Sequence, residues 1–478
     1  MSLLRRFVRG TPSAPRACLR SMVAAAAVAA ALAPAGAASA QEQMPLTMRG
    51  VPHGTASPTP LALTLKDAVA RGLAQNLAAI LEEQRLKNAQ SVRLEALSAL
   101  LPHVNGSVQQ TEQKLSTAAF GFEFPGVPRV IGPFGVFDAR LTLSTPLFDA
   151  RAIGGVRAGR ALVKAGQADL RDVRETIVLA VGTLYLQAQA DAARVESVRA
   201  ELATAEALVG LATDQKTAGI VAGIDVVRQQ VQLQSTKARL ITAENTFEKR
   251  KLSLARAIGL PGGQAFTLAS ATAFHAAPPL TLDQAIAEAA ASREDVKAAQ
   301  ARVDAARYTR QAEAAARWPS LHLDANLGSI GRDTSTLDRT YGIAALVRVP
   351  VFEGSETQAR VQRAQTELRI REAELADLTG SIRYDVSAAL LDVRAADAGV
   401  EVADSQKTLS QQELEQARDR FRAGVASTLE LVQAQEAVAS ATEQYIESLY
   451  AHAVAKGTLS RALGQVETRF VALVGGEE

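Results

Sequence analysis

The chain has 478 residues, of which 47% are hydrophobic and 4% aromatic, and its formal net charge is +2. Positions 1–40 hold five arginines and no acidic residue, so that removal of this segment would leave 47 basic and 50 acidic residues and a net charge of −3. Such a chain lacks the basic face that a nucleic-acid partner requires. Its single cysteine, Cys18, excludes a disulfide framework.

The N-terminus has the pattern of an export signal. Arginines precede a twelve-residue apolar run that begins at Met22, and Ala38-Ser39-Ala40 fits the small-residue cleavage rule. The run is shorter than a helix that crosses about 30 Å of hydrocarbon, although a retained membrane anchor is the alternative. We therefore predict a signal peptide over 1–40 and a mature chain without cysteine.

The sequence contains no pattern typical of catalysis or cofactor binding. Its five histidines are scattered, and no pair has the spacing of metal ligands. Neither a nucleophile elbow nor a phosphate-binding loop is found. We predict no catalytic residue, no metal and no cofactor, and therefore a protein that is not an enzyme.

The second half of the sequence repeats the first. The segment LTLKDAVA at 63–70 reappears as LTLDQAIA at 280–287. Two further pairs of similar segments are 218–220 with 423–425 and 254–259 with 459–464. The two members of each of these pairs are separated by slightly fewer residues than those of the first pair. A duplication of this length produces one quasi-symmetric assembly, so that each motif is interpreted together with its counterpart.

Each repeat contains a short opening helix and one very long helix. Thr64 and Thr281 are candidate N-caps of the opening helices, which end before a proline. The long helices are predicted over about 151–216 and 355–421, and each would measure roughly 100 Å. A glycine turn and a return helix follow each of them. Apolar residues recur every seven positions, with an interruption at Asp191, and this spacing predicts antiparallel coiled-coil hairpins.

Two segments in each repeat alternate between apolar and polar residues. They predict strands over about 102–111 and 136–146 in the first repeat and about 319–328 and 341–350 in the second. Each has about ten residues, the length of a tilted strand that crosses a membrane. The alternative is four edge strands of a soluble sandwich, for which the chain offers no further strands.

Four strands cannot close a barrel, and a lipid environment allows no open sheet edge. Closure therefore requires several chains. Two chains would give eight strands around a packed interior, whereas three would give twelve strands around a wider, water-filled lumen. The long helices are too polar to enter a membrane and must project into the periplasm as a helical tube. The sequence thus predicts an exported, oligomeric channel.

The predicted fold is mainly α with a membrane β-barrel portion, built from a duplicated helix–strand–strand–helix unit. The expected division of the chain is a flexible leader over 41–62, a first repeat over 63–259, a bridge over 260–280, a second repeat over 281–464 and a C-terminal tail over 465–478.

Four paired motifs resemble those of the TolC-type outer-membrane efflux proteins, over essentially all of the mature chain. They are the openings LTLKDAVARGLAQN and LTLDQAIAEAAAS, the LP and WP strand entries, the TPLF and VPVF strand exits, and the tips AGIVAGIDVVRQQ and AGVASTLELVQAQ. The resemblance implies a homotrimer with a twelve-stranded barrel in the lipid of the outer membrane, an α-helical barrel in the periplasm and a small equatorial domain.

The resemblance also implies a function. Such a protein is the passive exit duct for small molecules or polypeptides in a tripartite efflux pump or a type I secretion system. A periplasmic adaptor, also called a membrane fusion protein, joins it to an inner-membrane pump of the RND or ABC type. The alternative is a periplasmic coiled-coil adaptor or structural protein, which the doubled pairs of strands argue against.

The resemblance places candidate functional residues at the two hairpin tips, 217–228 and 422–433. Asp225 and Glu430 follow the turns, and in a threefold assembly each would form a ring of three carboxylates at the pore entrance. The alternative is that each is a first-turn acid that complements its helix dipole.

The tips are also the expected docking sites of the adaptor. They present small or apolar residues, namely Gly219, Ile220 and Ala222 in the first tip and Gly424, Val425 and Ala426 in the second. Some family members close the entrance with a tyrosine and an arginine at the positions of Phe421 and Ala426. Neither side chain can donate a hydrogen bond to an acid, so the sequence leaves open how this entrance is closed.

Overall fold

The computed structural model describes residues 45–117, 119, 121, 126, 128–269 and 280–475. The predicted signal peptide, the first residues of the leader, the second half of the bridge between the repeats and the last residues of the tail lie outside this part of the chain. The elements described below belong to one unit, Leu46–Glu478.

The described residues form nine α-helices and six strands, together with a short 3-10 helix at Leu46–Met48. The helices are α1 Leu65–Gln75, α2 Leu77–Ser98, α3 Ala150–Thr217, α4 Gly223–Ala257, α5 Leu282–Ser292, α6 Glu294–Ala315, α7 Glu356–Arg422, α8 Thr428–Ala462 and α9 Val466–Gly475. The strands are β1 Leu61–Leu63, β2 His103–Ser116, β3 Val130–Phe148, β4 Phe266–Leu268, β5 Ser320–Gly331 and β6 Leu337–Arg348.

The two long helices have 68 and 67 residues, and shorter helices lie along them. In the half of the helical array nearer the long strands, neighbouring helices pack in the order α2, α3, α6 and α7. In the half that contains the tips, the order is α4, α3, α8 and α7. Helix α7 is therefore accompanied by α6 and then α8, whereas α3 has α2 and then α4 on one side and α6 and then α8 on the other. At the tips, α4 and α7 are the outer members of the array.

The heptad positions of α3 are buried as the spacing predicts. Ile177, Leu184, Ala205 and Ala212 all lie inside the array. Asp191, which interrupts the stripe, is also buried, and Arg194 and Arg250 neutralise its carboxylate at 2.6 and 3.2 Å. The interruption is therefore compensated by ion pairs and does not end the helix.

The opening helix of each repeat is divided in two, a break that the sequence pattern did not predict. Asn76 ends α1 with an extended backbone and caps α2 by accepting a hydrogen bond from the Ala78 N–H at 2.9 Å. Its side-chain amide donates to the Thr47 carbonyl at 2.6 Å. Arg293, at the equivalent position of the second repeat, makes the same break between α5 and α6, where its guanidinium pairs with Asp385.

A flexible leader was predicted over 41–62, but hydrogen bonds hold several of its described residues. The Gly50 N–H donates to the Arg256 carbonyl at 2.7 Å, and the Val51 N–H donates to the Gln75 carbonyl at 2.8 Å. A Cβ at Gly50 would lie 2.3 Å from the Gly259 nitrogen, so the close approach requires glycine. These bonds join the ends of α1 and α4.

A second, very short sheet is also absent from the sequence prediction. Strand β1 pairs in parallel with β4, which lies within the predicted bridge. Leu63 and Phe266 of these strands are buried in the largest apolar cluster, together with Ile177, Val181 and Phe470. This cluster forms the core at the middle of α3, where both repeats meet.

The four long strands form one antiparallel sheet in the order β2-β3-β5-β6. They extend beyond the predicted segments, since β3 has 19 residues and β2 continues to Ser116. The register aligns Leu141 with Leu327 and Leu327 with Tyr341, so that apolar side chains share one face. Within the described chain, β2 and β6 have no strand on their outer edges.

The predicted C-terminal tail contains helix α9. Its Phe470 is fully buried between α3 and α8, where Gly182 and Gly457 leave room for the ring. No described helix combines the length and the apolar character needed to cross a membrane.

Candidate functional site: the two hairpin tips

The two tips have the same backbone turn. Gly219 and Gly424 follow the last residues of α3 and α7 and have φ of 75° and 73°, a left-handed conformation that glycine adopts without strain. In each turn the next N–H closes back on the helix: Ile220 donates to the Gln215 carbonyl at 2.9 Å and Val425 to the Arg420 carbonyl at 3.0 Å. This pattern of a glycine and a closing bond is a common end of helices.

The two tips of one chain lie side by side. A Cβ at Gly424 would stand 3.8 Å from Cγ2 of Ile220, which is ordinary van der Waals contact. Ile220 and Val425 are exposed, and Gly219 and Ala222 also lie at the surface. The neighbouring turns therefore form one small apolar surface at the end of the helical array.

The predicted entrance acids are each paired within the chain. Asp225 occupies the first turn of α4, where its carboxylate accepts a hydrogen bond from the Ala222 N–H at 3.3 Å and pairs with Arg228 at 3.3 Å. Glu430 occupies the first turn of α8 and pairs across its hairpin with Arg420 at 2.9 Å. Both positions complement a helix dipole, and Glu430 also ties the two helices of its hairpin together.

Phe421 belongs to the interior of the tip. Its side chain is 2% exposed and packs with Leu208 of α3 and Leu431 of α8. The Phe421 carbonyl accepts a hydrogen bond from the buried side chain of Gln215 at 3.2 Å. An apolar cluster and one amide therefore hold the end of α7 against α3, so that the two hairpins of one chain are joined at their tips.

Ala426 differs from the other predicted docking residues. It is partly buried and packs against the cluster around Phe421. The small side chain thus supports the interior of the tip, and Gly219, Ile220, Ala222, Gly424 and Val425 remain as the exposed members of the predicted set.

Sequence reasoning did not find Arg420, Gln215 or the cluster around Phe421. The buried residues Ser410, Ala417 and Phe421 follow one another at spacings of seven and four, and this periodicity could have placed Phe421 in the seam. By contrast, the contacts of Gln215 and Arg420 cross between helices and have no local signal.

The sheet presents one polar face. Arg140 pairs with Asp138 at 3.1 Å and donates to Asn326 on the next strand at 2.9 Å. Ser144 donates to Asp324 at 2.6 Å. The opposite face carries exposed apolar side chains, namely Val104, Val108, Leu141, Leu327, Tyr341, Ile343 and Val347. A sheet that is polar on one face and apolar on the other fits a wall between water and lipid.

No group of three or more potential metal ligands is found among the described residues. The distinctive geometry of that part of the chain lies in the tips, the helical array and the two-faced sheet.

A family model described as "Outer membrane efflux protein" matches residues 74–260 and 285–465 of the chain. These two segments correspond to the two repeats. Among curated proteins, the pyoverdine export outer membrane protein OpmQ of Pseudomonas putida is 27% identical over 409 residues, which are 83% of this chain and 84% of the relative.

The fold is similar to solved outer-membrane channels. The outer membrane protein VceC of Vibrio cholerae matches with a TM-score of 0.71 at 18% identity, over 84% of this chain and 96% of the other. The outer membrane channel CmeC of Campylobacter jejuni matches with a TM-score of 0.73 at 17% identity, over 85% and 88% of the two chains. At these identities the likeness describes the fold.

Proposed function

The chain belongs to the outer membrane efflux protein family, and we propose that three copies of it close into the exit duct of a tripartite export pump. It is an outer-membrane channel with a long periplasmic extension. Efflux channels of this kind assemble with an adaptor and an inner-membrane transporter. The observation that carries the trimer is the four-stranded sheet, which has a lipid-compatible face and two open edges.

The outer helices support closure by further copies. Exposed apolar residues recur at spacings that fit a heptad on the two outer helices, namely Ile224, Val231, Ile241 and Leu252 on α4 and Leu391, Val402 and Leu409 on α7. Each stripe has the pattern of a coiled-coil seam but lacks a partner within the described chain. Packing α4 of one copy against α7 of the next would bury both stripes and continue the order of helices around a tube.

We propose that the cargo is a small molecule and that transport is passive. The name of OpmQ describes that protein as an exporter of pyoverdine, which supports small-molecule efflux over polypeptide secretion. Since efflux channels of this family assemble with an inner-membrane transporter, the energy would come from that partner, of the RND or ABC type, acting through the adaptor.

Native mass spectrometry and single-channel recording test the trimer and the duct. The mature chain, purified from outer membranes in detergent, should have the mass of three copies and should conduct ions after reconstitution in a lipid bilayer. A folded monomer, fractionation with the inner membrane, or a trimer without conductance would contradict the proposal.

We propose that Asp225 and Glu430 line the pore entrance in the assembled trimer. Their positions at the ends of the hairpins support this role, whereas their ion pairs favour the alternative of helix and hairpin stabilisation. Asp225→Asn combined with Glu430→Gln should lower the preference for cations and weaken block by multivalent cations. Unchanged selectivity and block in the double variant would leave only the stabilising role. The control is Arg420→Gln, which removes the ion pair of Glu430 but keeps its carboxylate.

We propose that the exposed residues of the two tips are where the adaptor docks. Three copies with two similar tips each would offer six such sites. Gly424→Trp should strain the left-handed turn and obstruct docking, while the distant sheet and the trimer persist. Trimer content, cross-linking to the adaptor and export are measured separately. Normal cross-linking and export in this variant would show that the adaptor binds elsewhere.

A further inference from the structure

A cluster of three ionisable side chains is buried between α7 and α8. His452 is 3% exposed, and its Nε2 lies 2.8 Å from Oδ1 of Asp397 on α7. Lys456, one turn further along α8, is 5% exposed and interacts with the same carboxylate. Two bases therefore share one acid within a heptad seam. The Asp397 side chain is 32% exposed, so the cluster is in contact with the solvent.

The first repeat packs the equivalent position without an ionisable ring. Phe247 is the counterpart of His452 in the first repeat, and Ala192 stands in place of the acid. Lys251, the counterpart of Lys456, lies beside the Phe247 ring with Nζ 5.3 Å from its centroid. Since an apolar ring fits this level of the seam in one hairpin, packing alone does not require a histidine in the other.

The ionisable groups around the ring decide its charge. Burial lowers the pKa of His452, the neighbouring Lys456 lowers it further, and Asp397 raises it in part. Helix α3 packs against α8 as well, and its charged residues on this stretch, Asp191 and Arg194, are engaged with each other at 2.6 Å and with other partners. Burial lowers the pKa of Lys456 as well. At neutral pH the ring is therefore uncharged.

We propose that the second hairpin is a pH-responsive element, in which protonation of His452 loosens the seam between α7 and α8 and allows the tip half of the hairpin to move. A protonated ring would place a second cation beside Lys456, with one carboxylate to neutralise both. The segment of α8 from Thr428 to His452, roughly 37 Å long at ~1.5 Å per residue, is the part of the hairpin that would move.

The direction of the response follows from linkage. In a loosened seam the ring is solvated and has a pKa near the usual value of about 6.5, whereas in the closed seam the pKa is lower. The loosened state therefore binds more protons. Loosening becomes more favourable as the pH falls below about 6.5, by at most about tenfold in the equilibrium constant per pH unit.

Distances between paired spin labels test the proposal, because the single cysteine, Cys18, lies in the predicted signal peptide. Ser405→Cys with Ser440→Cys places labels on α7 and α8 at opposite sides of one groove. Ala200→Cys with Ser235→Cys, at the equivalent positions of the first repeat, reports on the first hairpin. Between about pH 7.5 and about pH 5.5, the distances in the second hairpin should lengthen and broaden while those in the first stay constant.

Two substitutions separate the ring from other effects of acid. His452→Phe introduces the residue of the first repeat and should abolish the pH response, and His452→Gln should do the same with a polar side chain that does not titrate. If the phenylalanine variant misassembles, the glutamine variant decides. A response that survives either substitution in an assembled protein, equal broadening in both hairpins, or no broadening in the unsubstituted protein would overturn the proposal. The readout is a distance, so its failure is distinguishable from a failure of export.

Discussion

Glu175 shows how one buried carboxyl can make the middle of the molecule sensitive to pH. Burial raises its pKa to about 7, although Arg461 lies 3.2 Å away and acts in the opposite direction. Asp172 and Glu294 add to the rise. The folded chain therefore holds a proton at Glu175 that an unfolded chain would release near pH 4.5.

The sign of this effect gives a prediction. Because the pKa is higher in the folded state, the contribution of Glu175 to stability is fully present below about pH 4.5 and is lost as the pH rises through about 7. Glu175→Gln should flatten the decline of the melting temperature between about pH 5 and about pH 8. Thermal melting, monitored by circular dichroism at each pH, measures this decline. Glu467→Gln, which changes a more exposed ion pair, is the control. If the melting temperature of Glu175→Gln declines with pH as steeply as that of Glu467→Gln, the assignment is contradicted.

Among single residues, the sequence predicted those whose role depends on the backbone of their own turn. Gly219 and Gly424 were predicted from the paired turns, and both have the left-handed backbone that such turns require. Arg420 and Gln215 were missed because their partners, Glu430 and the Phe421 carbonyl, lie on another helix. A local pattern carries no information about which helices meet.

Among the elements, helix α9 joins the two repeats through one aromatic side chain. Phe470 is buried between α3 and α8, where a Cβ at Gly182 would lie 2.0 Å and one at Gly457 would lie 2.6 Å from its ring. Arg174 pairs with Glu467 at 2.5 Å and holds the start of the helix to α3. Val466 is buried in the same apolar cluster, and Arg469 pairs with Glu288 at 2.7 Å. The inserted ring is therefore the largest of several contacts that attach the helix.

Replacement of this ring should release the helix. Phe470→Ala should lower the free energy of unfolding by about 3–5 kcal/mol, the usual cost of a large buried aromatic. Gly457→Val should lower it by about 1–3 kcal/mol, because the added side chain fills the space that the ring occupies. Denaturant unfolding and limited proteolysis near the C-terminus measure both, and Thr468→Ala, at an exposed position of α9, is the control. Unchanged proteolysis in both core variants would show that the ring does not hold the helix.

The breaks in the opening helices could not be predicted from the periodic spacing of apolar residues. Asn76 and Arg293 occupy equivalent positions, and neither is a proline or glycine that would have marked a break. Asn76 is held by the Thr47 carbonyl and Arg293 by Asp385, both distant in sequence. Long-range contacts, together with a local cap at Asn76, therefore hold breaks that the apolar spacing does not mark.

For the whole molecule, the exposed stripes on α4 and α7 provide a test of how copies assemble. Ile241 and Leu409 are exposed in the single chain but would be buried if α4 of one copy packed against α7 of the next. Apolar surface of this extent on outer helices is characteristic of interfaces. The stripes, together with the open edges of the sheet, would make the trimer the form in which the chain is stable.

Charges placed in these stripes should prevent assembly. Ile241→Glu and Leu409→Glu should each reduce the fraction of trimer by at least about tenfold, because an unpaired charge would be buried at the interface. Native mass spectrometry counts the copies, and circular dichroism reports whether the helices of the single chain persist. Lys237→Glu, at an exposed position of α4 outside the stripe, should leave the trimer intact. Assembly of both stripe variants at normal levels would exclude this packing of α4 against α7.

The sequence by itself determined the duplication, the two long hairpins, the four membrane-length strands and the glycine turns, because each is a periodic or local pattern that needs no partner to be recognised. The tertiary structure alone decided the order of the helices, the pairing of β1 with β4, the seating of Phe470 between Gly182 and Gly457 and the packing of Phe421 against Leu208 of the other hairpin. These features depend on contacts between residues far apart in the chain. A heptad stripe specifies that a helix must bury one face, but it does not name the helix that covers it.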